Sequence, residues 1–256
     1  MSNIAKAFAD GKAFIAFITC GDPDLETTEA VVRAAVRGGA DLIELGVPFS
    51  DPTAEGPVIQ AANERALSGG VTTDKIFDMV TALRADVAVP MVFMTYANVV
   101  FSYGLERFAE RCKEVGIDGV ILPDVPYEEK EEFAPAFRAR ELDFVSLVAP
   151  TSEQRVASIA RDAEGFLYIV SSLGVTGVRS EITTDLSGIV NIVRENTQIP
   201  CAVGFGISTP EQAKRMADVS DGAIDGSAIV KLLALHGRAA AQPVYEYVKS
   251  MKDALR

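Results

Sequence analysis

The sequence of 256 residues is poor in the side chains that build metal centres and disulfide frameworks. It contains a single histidine, His236, and three cysteines, Cys20, Cys112 and Cys201. An odd number of widely separated cysteines argues against a disulfide framework and against a CxxC metal site. One histidine is too few for a His-rich metal centre. We therefore predict a site without a metal.

Long apolar runs and clusters of basic residues are missing as well. No run approaches the roughly 20 apolar residues that span a bilayer. Lys6, Asp10 and Lys12 interrupt the N-terminal segment, which therefore lacks the apolar centre of a secretory signal. The formal net charge of −12 disfavours nucleic acid as a partner, because duplex binding depends on clustered Lys and Arg. These absences predict a cytoplasmic protein that binds neither membrane nor nucleic acid.

The sequence does have a steady alternation of short apolar runs and longer segments with helical spacing. The strand-like runs are Ala13 to Thr19, Asp41 to Leu45, Met91 to Tyr96, Gly119 to Leu122, Phe144 to Val148, Phe166 to Val170, Cys201 to Val203 and Gly222 to Ile224. The helix-like segments are Leu25 to Arg37, Val58 to Leu67, Thr73 to Ala85, Leu105 to Val115, Glu128 to Arg140, Glu153 to Arg161, Leu186 to Glu195 and Glu211 to Val219. Further helices are predicted at Asn3 to Ala9 and at Pro243 to Leu255.

Eight strands that alternate with helices over about 250 residues predict an α/β fold, the (β/α)8 or TIM barrel. An open, doubly wound sheet is the alternative, although the first strand-to-helix turn carries no GxGxxG. No Ser/Gly/Pro-rich linker divides the chain. We therefore predict one barrel domain over residues 1–256, with an extra N-terminal helix and additional helices in the strand 2 to 3 connection and at the C-terminus.

The active site of such a barrel lies at the C-terminal ends of its strands, and an acidic loop falls there. Glu44 ends the second apolar run, and Glu55 stands beside the start of a helix. Two carboxyl groups in one pocket form an acid/base site. Two alternatives stay open: Glu44 forms a salt bridge at the rim, and Glu55 only stabilises the first turn of the helix. Asp51 in the same loop also fits an Asx-type turn.

Three glycine-containing turns follow strands six, seven and eight, and together they favour a phosphate site. They are Gly174 to Gly177, Gly204 to Ser208 and Asp225 to Ser227. Bare backbone N–H groups approach an anion closely at such turns, and the last one opens an apolar helix, Ala228 to Leu235, whose dipole favours a dianion. Each turn alone also fits an ordinary tight turn.

Aromatic side chains fall at or near the strand ends, where they either line a pocket or pack in the core. They are Phe17, Tyr96, Tyr168 and Phe205. No lysine ends a strand-like run, which disfavours a Schiff-base aldolase.

Eight motifs, taken together, resemble those of the tryptophan synthase alpha subunit family, and they cover nearly the whole chain. They are Ala16 to Pro23, Asp41 to Pro52, Gly56 to Gln60, Tyr96 to Asn98, Pro123 to Pro126, Gly174 to Gly177, Gly204 to Ser208 and Gly226 to Val230. The resemblance implies a (β/α)8 barrel that cleaves indole-3-glycerol phosphate into indole and glyceraldehyde 3-phosphate by a retro-aldol reaction.

The resemblance also implies roles for individual residues. Glu44 matches the family's general acid/base, which protonates indole C3 and takes the proton of the glycerol hydroxyl. Glu55 stands where the family has aspartate, whose carboxylate stabilises the indole N–H. Matching pocket positions are Phe17, Ile59, Tyr96, Tyr168, Thr176 and Phe205. Phosphate contacts are expected at Gly177, Gly206, Gly226 and Ser227.

A partner is implied in the same way. Family members need no cofactor of their own and work with a beta subunit that carries pyridoxal phosphate and converts indole and serine into tryptophan. The expected assembly is an alpha2beta2 heterotetramer. The loop around Asp51 and Pro52, and the loop after Thr176, are expected to communicate with this partner.

Two residues depart from the family pattern. Glu55 is one methylene longer than aspartate, and a carboxylate displaced by about an ångström costs on the order of 100-fold in rate. Asp225 stands where the family usually has a small or apolar residue, so its carboxylate either opposes a phosphate or needs a buried partner. Three other functions therefore stay open: a stand-alone lyase, a catalytically weak regulatory alpha-type subunit, and a different phosphate-handling barrel such as a sugar-phosphate isomerase.

Overall fold

A computed structural model describes residues 2–171, 186–204 and 206–256. Within these ranges nine strands form one sheet, and every pair of neighbours is parallel. The strands are β1 Ala13–Thr19, β2 Leu42–Gly46, β3 Met91–Met94, β4 Gly119–Ile121, β5 Asp143–Phe144, β6 Leu147–Val148, β7 Leu167–Val170, β8 Cys201–Gly204 and β9 Gly222–Asp225. The sheet order is β5-β4-β3-β2-β1-β9-β8-β7-β6.

The two ends of this sheet are joined by the chain itself. β5 and β6 are the two halves of the predicted fifth run, and only Val145 and Ser146 separate them. The Val145 N–H donates to the Val120 carbonyl at 2.9 Å, and the Tyr168 N–H donates to the Ser146 carbonyl at 3.0 Å. The sheet therefore closes on itself with its strands in chain order around the ring. This confirms the predicted barrel and excludes the open, doubly wound sheet.

Helices surround the ring in the described ranges. They are α1 Leu25–Gly38, α2 Pro57–Ser68, α3 Thr73–Leu83, α4 Ala97–Tyr103, α5 Leu105–Val115, α6 Ala134–Arg138, α7 Glu153–Arg161, α8 Leu186–Asn196, α9 Pro210–Val219, α10 Ser227–His236 and α11 Ala241–Ala254, with 3-10 helices at Ile4–Phe8, Tyr127–Glu132 and Gly237–Ala239. Both α2 and α3 lie between β2 and β3, as predicted. Among the described residues, no helix combines the length and the apolar composition of a membrane span.

Side chains alternate between two apolar layers along each strand. On β1, Phe14, Ala16 and Ile18 belong to the layer between sheet and helices, whereas Ile15 and Phe17 belong to the layer inside the barrel. Parallel strands that are buried on both faces are expected to be apolar throughout, and β1 is buried at every position. A charged residue inside this barrel is therefore an exception that needs a reason.

Three helices differ from the sequence prediction. The extra N-terminal helix is a short 3-10 helix, and the predicted helix from Glu128 to Arg140 is broken into a 3-10 helix and α6. Pro135 occupies the first turn of α6, where its missing N–H and fixed φ are tolerated only at a helix start. Helix α4 was not predicted; its first N–H, at Ala97, is bound by the Asp124 carboxylate from the loop after β4. That contact joins residues too far apart in the chain for a local pattern to indicate it.

Candidate active site

A cavity of about 400 Å³ lies at the C-terminal ends of the strands and collects most of the predicted site residues. Its size falls in the usual range for small-molecule sites. The predicted residues that line it are Phe17, Glu44, Glu55, Ile59, Tyr96, Tyr168, Gly206, Gly226 and Ser227. They come from both halves of the sequence, and the closed ring brings them together.

Glu44 lies on β2, on the face that points into the barrel. It is paired in register with Phe17 on β1 and with Val92 on β3, both of which belong to the inner apolar layer. The side chain is buried, and among the described residues no group hydrogen-bonds to its Oε2. Burial, with a smaller contribution from the charge of Glu55, raises the pKa of Glu44 to about 8. Glu44 is therefore a protonated carboxylic acid at neutral pH, and among the described residues no cation forms a rim salt bridge with it.

Glu55 precedes α2 and carries a second buried carboxyl group. The Asn63 amide donates a hydrogen bond of 2.6 Å to its Oε2, and the Tyr96 hydroxyl also hydrogen-bonds to it. Burial raises the pKa of Glu55 to about 7, while the bonds from Asn63 and Tyr96 oppose that rise. Both donors favour the ionised form, so Glu55 is the more acidic of the two carboxyl groups. It lines the cavity as well as starting the helix.

The two carboxyl groups therefore differ in charge over a narrow pH interval. Between about 7 and about 8, Glu44 keeps its proton and Glu55 has lost its own. Neighbouring groups whose environments push their pKa values apart are the mark of separate acid and base roles. This arrangement supplies one proton donor and one negative charge to a ligand in the same cavity.

The Phe17 and Tyr168 side chains fit in the cavity because each lies against a glycine on the neighbouring strand. A Cβ on Gly46 would lie 2.5 Å from the Phe17 ring, and a Cβ on Gly204 would lie 2.3 Å from the Tyr168 hydroxyl. Real Cβ atoms do not approach other atoms so closely, so glycine is needed at both positions. Phe17 and Tyr168 thereby provide flat apolar surfaces of the kind on which an aromatic ligand packs.

The cavity also has a part that is suited to an anion. Gly226 follows β9 directly and is the N-cap of α10, and Ser227 is the first residue of that helix. Gly206 has a φ of 80°, a conformation that favours glycine. The N–H groups at the start of α10 and the helix dipole favour a negative charge at this end.

Asp225, next to these residues, has the buried partner that its position requires. It lies on the helix-facing side of β9, since Ile224 before it belongs to the inner layer. The Tyr247 hydroxyl on α11 donates to its carboxyl group at 2.5 Å, and the Ala228 N–H donates to it at 3.4 Å. Burial raises the pKa of Asp225 to about 6, against the lowering effect of the Tyr247 bond.

The remaining predicted positions either lie outside the described residues or are not among those that line the cavity. Thr176, Gly177 and Phe205 lie outside the described residues. Asp51 is exposed and Pro52 is half-buried, and neither is among the lining residues of the described part of the chain. Among the described residues, no group of three or more His, Cys, Asp or Glu side chains is arranged to hold a metal ion.

Asn63 is the polar contact that sequence reasoning missed. It lies on the second turn of α2, on the same face as Ile59, and both side chains are buried. The four-residue spacing of Ile59 and Asn63 puts both on one face of α2, and Glu55 lies two residues before that helix begins. The same spacing continued back to Glu55 is the signal that would have found the contact. The cavity also has apolar lining residues that were not predicted: Ala54, Met94, Leu122, Val170 and Ile224.

The chain is similar to known proteins over its whole length. The family described as tryptophan synthase alpha chain matches residues 4–256. The tryptophan synthase alpha chain of Lacticaseibacillus casei is 46% identical over 255 residues, which cover 100% of this chain and 96% of that protein. The alpha chain of Geobacter sulfurreducens is 46% identical over 262 residues, covering 100% and 99%.

Solved structures agree with the sequence matches. The tryptophan synthase subunit alpha of Legionella pneumophila superposes with a TM-score of 0.90 at 35% identity, covering 100% of this chain and 98% of that one. A chain of the tryptophan synthase complex of Pyrococcus furiosus superposes with a TM-score of 0.86 at 32% identity, covering 95% and 99%. Both comparisons extend over nearly the whole barrel.

Proposed function

The chain belongs to the tryptophan synthase alpha chain family, and from that premise we propose how its own residues carry out the family's reaction. The reaction is the retro-aldol cleavage of indole-3-glycerol phosphate into indole and D-glyceraldehyde 3-phosphate, which makes the chain a lyase. It breaks one carbon–carbon bond and needs two proton transfers, one to indole C3 and one from the glycerol hydroxyl.

Glu44 performs both proton transfers in this proposal. Its carboxylic acid protonates indole C3, which weakens the bond from C3 to the glycerol chain. The resulting Glu44 carboxylate then takes the proton of the hydroxyl on the adjacent carbon, the carbon–carbon bond breaks, and its electron pair returns to the indole ring. Indole and the aldehyde leave, and Glu44 is again protonated. A pKa of about 8 suits this role, because the acid starts the cycle protonated at neutral pH.

Glu55 acts through charge. Protonation at C3 places positive charge on the indole ring, and the ionised Glu55 carboxylate accepts a hydrogen bond from the ring N–H and stabilises that charge. The hydrogen bonds from Asn63 and Tyr96 support this role, because they favour the ionised carboxylate. The extra methylene of Glu55 is accommodated in this proposal by its contact with α2.

The remaining cavity residues bind and orient the substrate. The indole ring packs between apolar and aromatic side chains, for which we propose Phe17, Ile59, Tyr96, Tyr168, Thr176 and Phe205. The phosphate binds to backbone N–H groups and a hydroxyl at the glycine turns, for which we propose Gly177, Gly206, Gly226 and Ser227. Binding energy at the phosphate, far from the reacting bond, positions C3 against Glu44.

We also propose a partner subunit. Similar structures include those of tryptophan synthase complexes, among them an alpha2beta2 complex of Pyrococcus furiosus. A beta subunit of that kind would receive the indole and would carry pyridoxal phosphate, so the alpha chain would need no cofactor of its own. The exposed loop around Asp51 and Pro52 is one proposed contact with this partner.

A second feature of the barrel's C-terminal face supports the same partner. Helix α4 follows β3 directly and therefore lies at this face, and its Phe101 side chain is 75% exposed. A large aromatic side chain left in water near the mouth of the cavity is typical of the residues that anchor protein–protein contacts.

One observation carries the catalytic proposal: the buried Glu44 carboxyl group faces the cavity with its Oε2 unbound among the described residues. The test is indole release from indole-3-glycerol phosphate, measured for the chain alone and with a tryptophan synthase beta subunit. We expect indole in both cases and faster release in the complex. Equal rates with no coelution would indicate a stand-alone lyase, and no indole in either case would indicate a regulatory subunit.

A further inference from the structure

The contact between Glu55 and Asn63 has features that helix packing alone does not require. Asn63 is 4% exposed and Glu55 is 8% exposed, and the amide nitrogen of one lies 2.6 Å from Oε2 of the other. The other buried residues of α2 are Ile59, Ala62 and Ala66. A buried amide among apolar side chains is costly unless it is hydrogen-bonded, and the partner of its N–H group is the Glu55 carboxylate.

The length of the Glu55 side chain matters for this contact. An aspartate at position 55 would have a side chain shorter by one carbon–carbon bond, about 1.5 Å. With the backbone unchanged, the gap between the carboxylate and the Asn63 amide would grow to about 4 Å, which is beyond hydrogen-bond range. The extra methylene therefore allows the carboxylate to reach α2.

We propose that Asn63 is a positioning residue for the cleavage reaction, which holds the Glu55 carboxylate in its productive place and in its ionised form. This inference rests on the role proposed above for Glu55. It also gives a reason for the longer side chain, because glutamate and Asn63 act as a pair in this chain. Asn63 touches the carboxylate and acts on the substrate only through it.

The pKa of Glu55 can test this role, because loss of a contact with a purely structural role would not change that pKa. In the described part of the chain, three groups face the Glu55 carboxylate: the Asn63 amide, the Tyr96 hydroxyl and the Glu44 carboxyl group. Burial raises the pKa of Glu55, and the Asn63 bond lowers it. Loss of the Asn63 donor must therefore raise that pKa further, so the ionised form appears only at higher pH.

The same helix offers a matched control. The Gln60 amide donates a hydrogen bond of 2.7 Å to the main-chain carbonyl of Glu55 and leaves its carboxylate untouched. Gln60 is exposed, and its replacement removes a bond to the same residue from the same helix. Gln60→Ala therefore separates support of the backbone from support of the carboxylate.

The experiment is the pH dependence of kcat and KM for indole release by the wild type, Asn63→Ala, Asn63→Asp and Gln60→Ala. Asn63→Asp has nearly the same shape as the wild type, so it keeps the fold while it replaces a donor by a second carboxyl group. We expect both Asn63 variants to lower kcat about 10- to 100-fold with little change in KM, and to move the acidic limb to higher pH. Gln60→Ala is expected to stay within about threefold, with the limb unmoved.

A double-mutant cycle completes the test. In the background of Glu55→Asp, Asn63→Ala is expected to have little further effect, because the shorter side chain no longer reaches it. Equal losses in both backgrounds, or an acidic limb that does not move, would overturn the role of Asn63. Glu55→Gln separates this result from the proposed function: full activity in Glu55→Gln would contradict the role of Glu55, whereas an inactive Glu55→Gln beside a fully active Asn63→Ala would contradict only this inference.

Discussion

The Tyr247 hydroxyl on α11 donates a 2.5 Å hydrogen bond to the Asp225 carboxyl group at the end of β9. The bond ties the last helix of the chain to the strand that leads into the proposed phosphate site. It gives the buried carboxyl group a partner on the helix-facing side of the strand, although Asp225 is also among the residues that line the cavity.

Replacement of Tyr247 by Phe is expected to destabilise the barrel by about 1–3 kcal/mol at pH 8, because a buried carboxylate loses its donor. The folded pKa of Asp225, already raised to about 6, would rise further. A raised folded pKa makes folding less favourable as the pH increases through that value, so the loss should be smaller at pH 5. Urea unfolding at the two pH values measures this difference. Tyr245→Phe is the control on the same helix, and a loss of the same size in both variants would contradict the assignment.

Ionisation of the buried Glu44 is expected to lower the stability of the folded protein as the pH rises. Its pKa rises from 4.5 to about 8 on folding, so the folded state holds the proton more tightly and stability falls as the pH rises between these values. Glu44→Gln removes this ionisation. We expect the variant to be more stable than the wild type by about 4 kcal/mol at pH 8 and by less than about 1 kcal/mol at pH 5.

The exposed Glu110 provides the control for that measurement, because Glu110→Gln removes a carboxyl group that lies in water. Its unfolding free energy should match that of the wild type at both pH values. A Glu44→Gln variant that is less stable than the wild type at pH 8 would show that the ionised carboxylate has a stabilising partner.

Much of the barrel follows from periods in the sequence, because strand alternation and helical spacing are local patterns. The inward direction of Glu44 does not follow from them alone, because Leu42 and Glu44 share one face of β2 but only the structure shows that Leu42 belongs to the inner layer. The fifth strand was correctly located as a run, but its interruption at Val145 and Ser146 leaves no mark in the apolar pattern. An apolar pattern predicts which residues are buried, but it does not predict how a strand pairs with its neighbours.

Contacts between distant residues were beyond such reasoning. The sequence indicates that a buried Asp225 needs a hydrogen-bond partner. It does not indicate that this partner is Tyr247, which is 22 positions away on α11. The cap of α4 by Asp124 spans 27 positions. Only the folded chain shows which helix face meets which strand end. Asn63 is different, because it is only eight positions from Glu55 and its four-residue spacing from Ile59 was available in the sequence.

The Phe101 side chain is expected to contribute to binding of a beta subunit. Phe101→Ala should weaken the complex about tenfold or more, about 1.4 kcal/mol, and should leave indole release by the isolated chain unchanged. Leu235, equally exposed at 75%, lies near the C-terminal end of α10 and therefore at the other end of the barrel. Leu235→Ala is the control for titration calorimetry, and equal affinities of the two variants would exclude α4 from the interface.

The pH profile of kcat/KM is expected to be bell-shaped. Activity should rise with pH as Glu55 ionises near 7 and fall as Glu44 loses its proton near 8. Glu55→Gln should retain the alkaline limb and move it to lower pH, because the charge of Glu55 raises the pKa of Glu44. The residual rate of this variant is measured between pH 5 and 10. An alkaline limb that moves to higher pH would contradict the proposed effect of the Glu55 charge on the pKa of Glu44.

The role of Glu44 is tested most directly by the rate of indole release from indole-3-glycerol phosphate in the Glu44→Gln variant, compared with the wild type near pH 7.5. Glutamine keeps the shape of the side chain but does not transfer a proton. A protonated Glu44 that serves both proton transfers predicts a loss of about 100- to 10,000-fold in kcat, with an intact fold and substrate affinity little changed. A Glu44→Gln variant that retains a substantial part of the wild-type kcat would contradict the proposed mechanism.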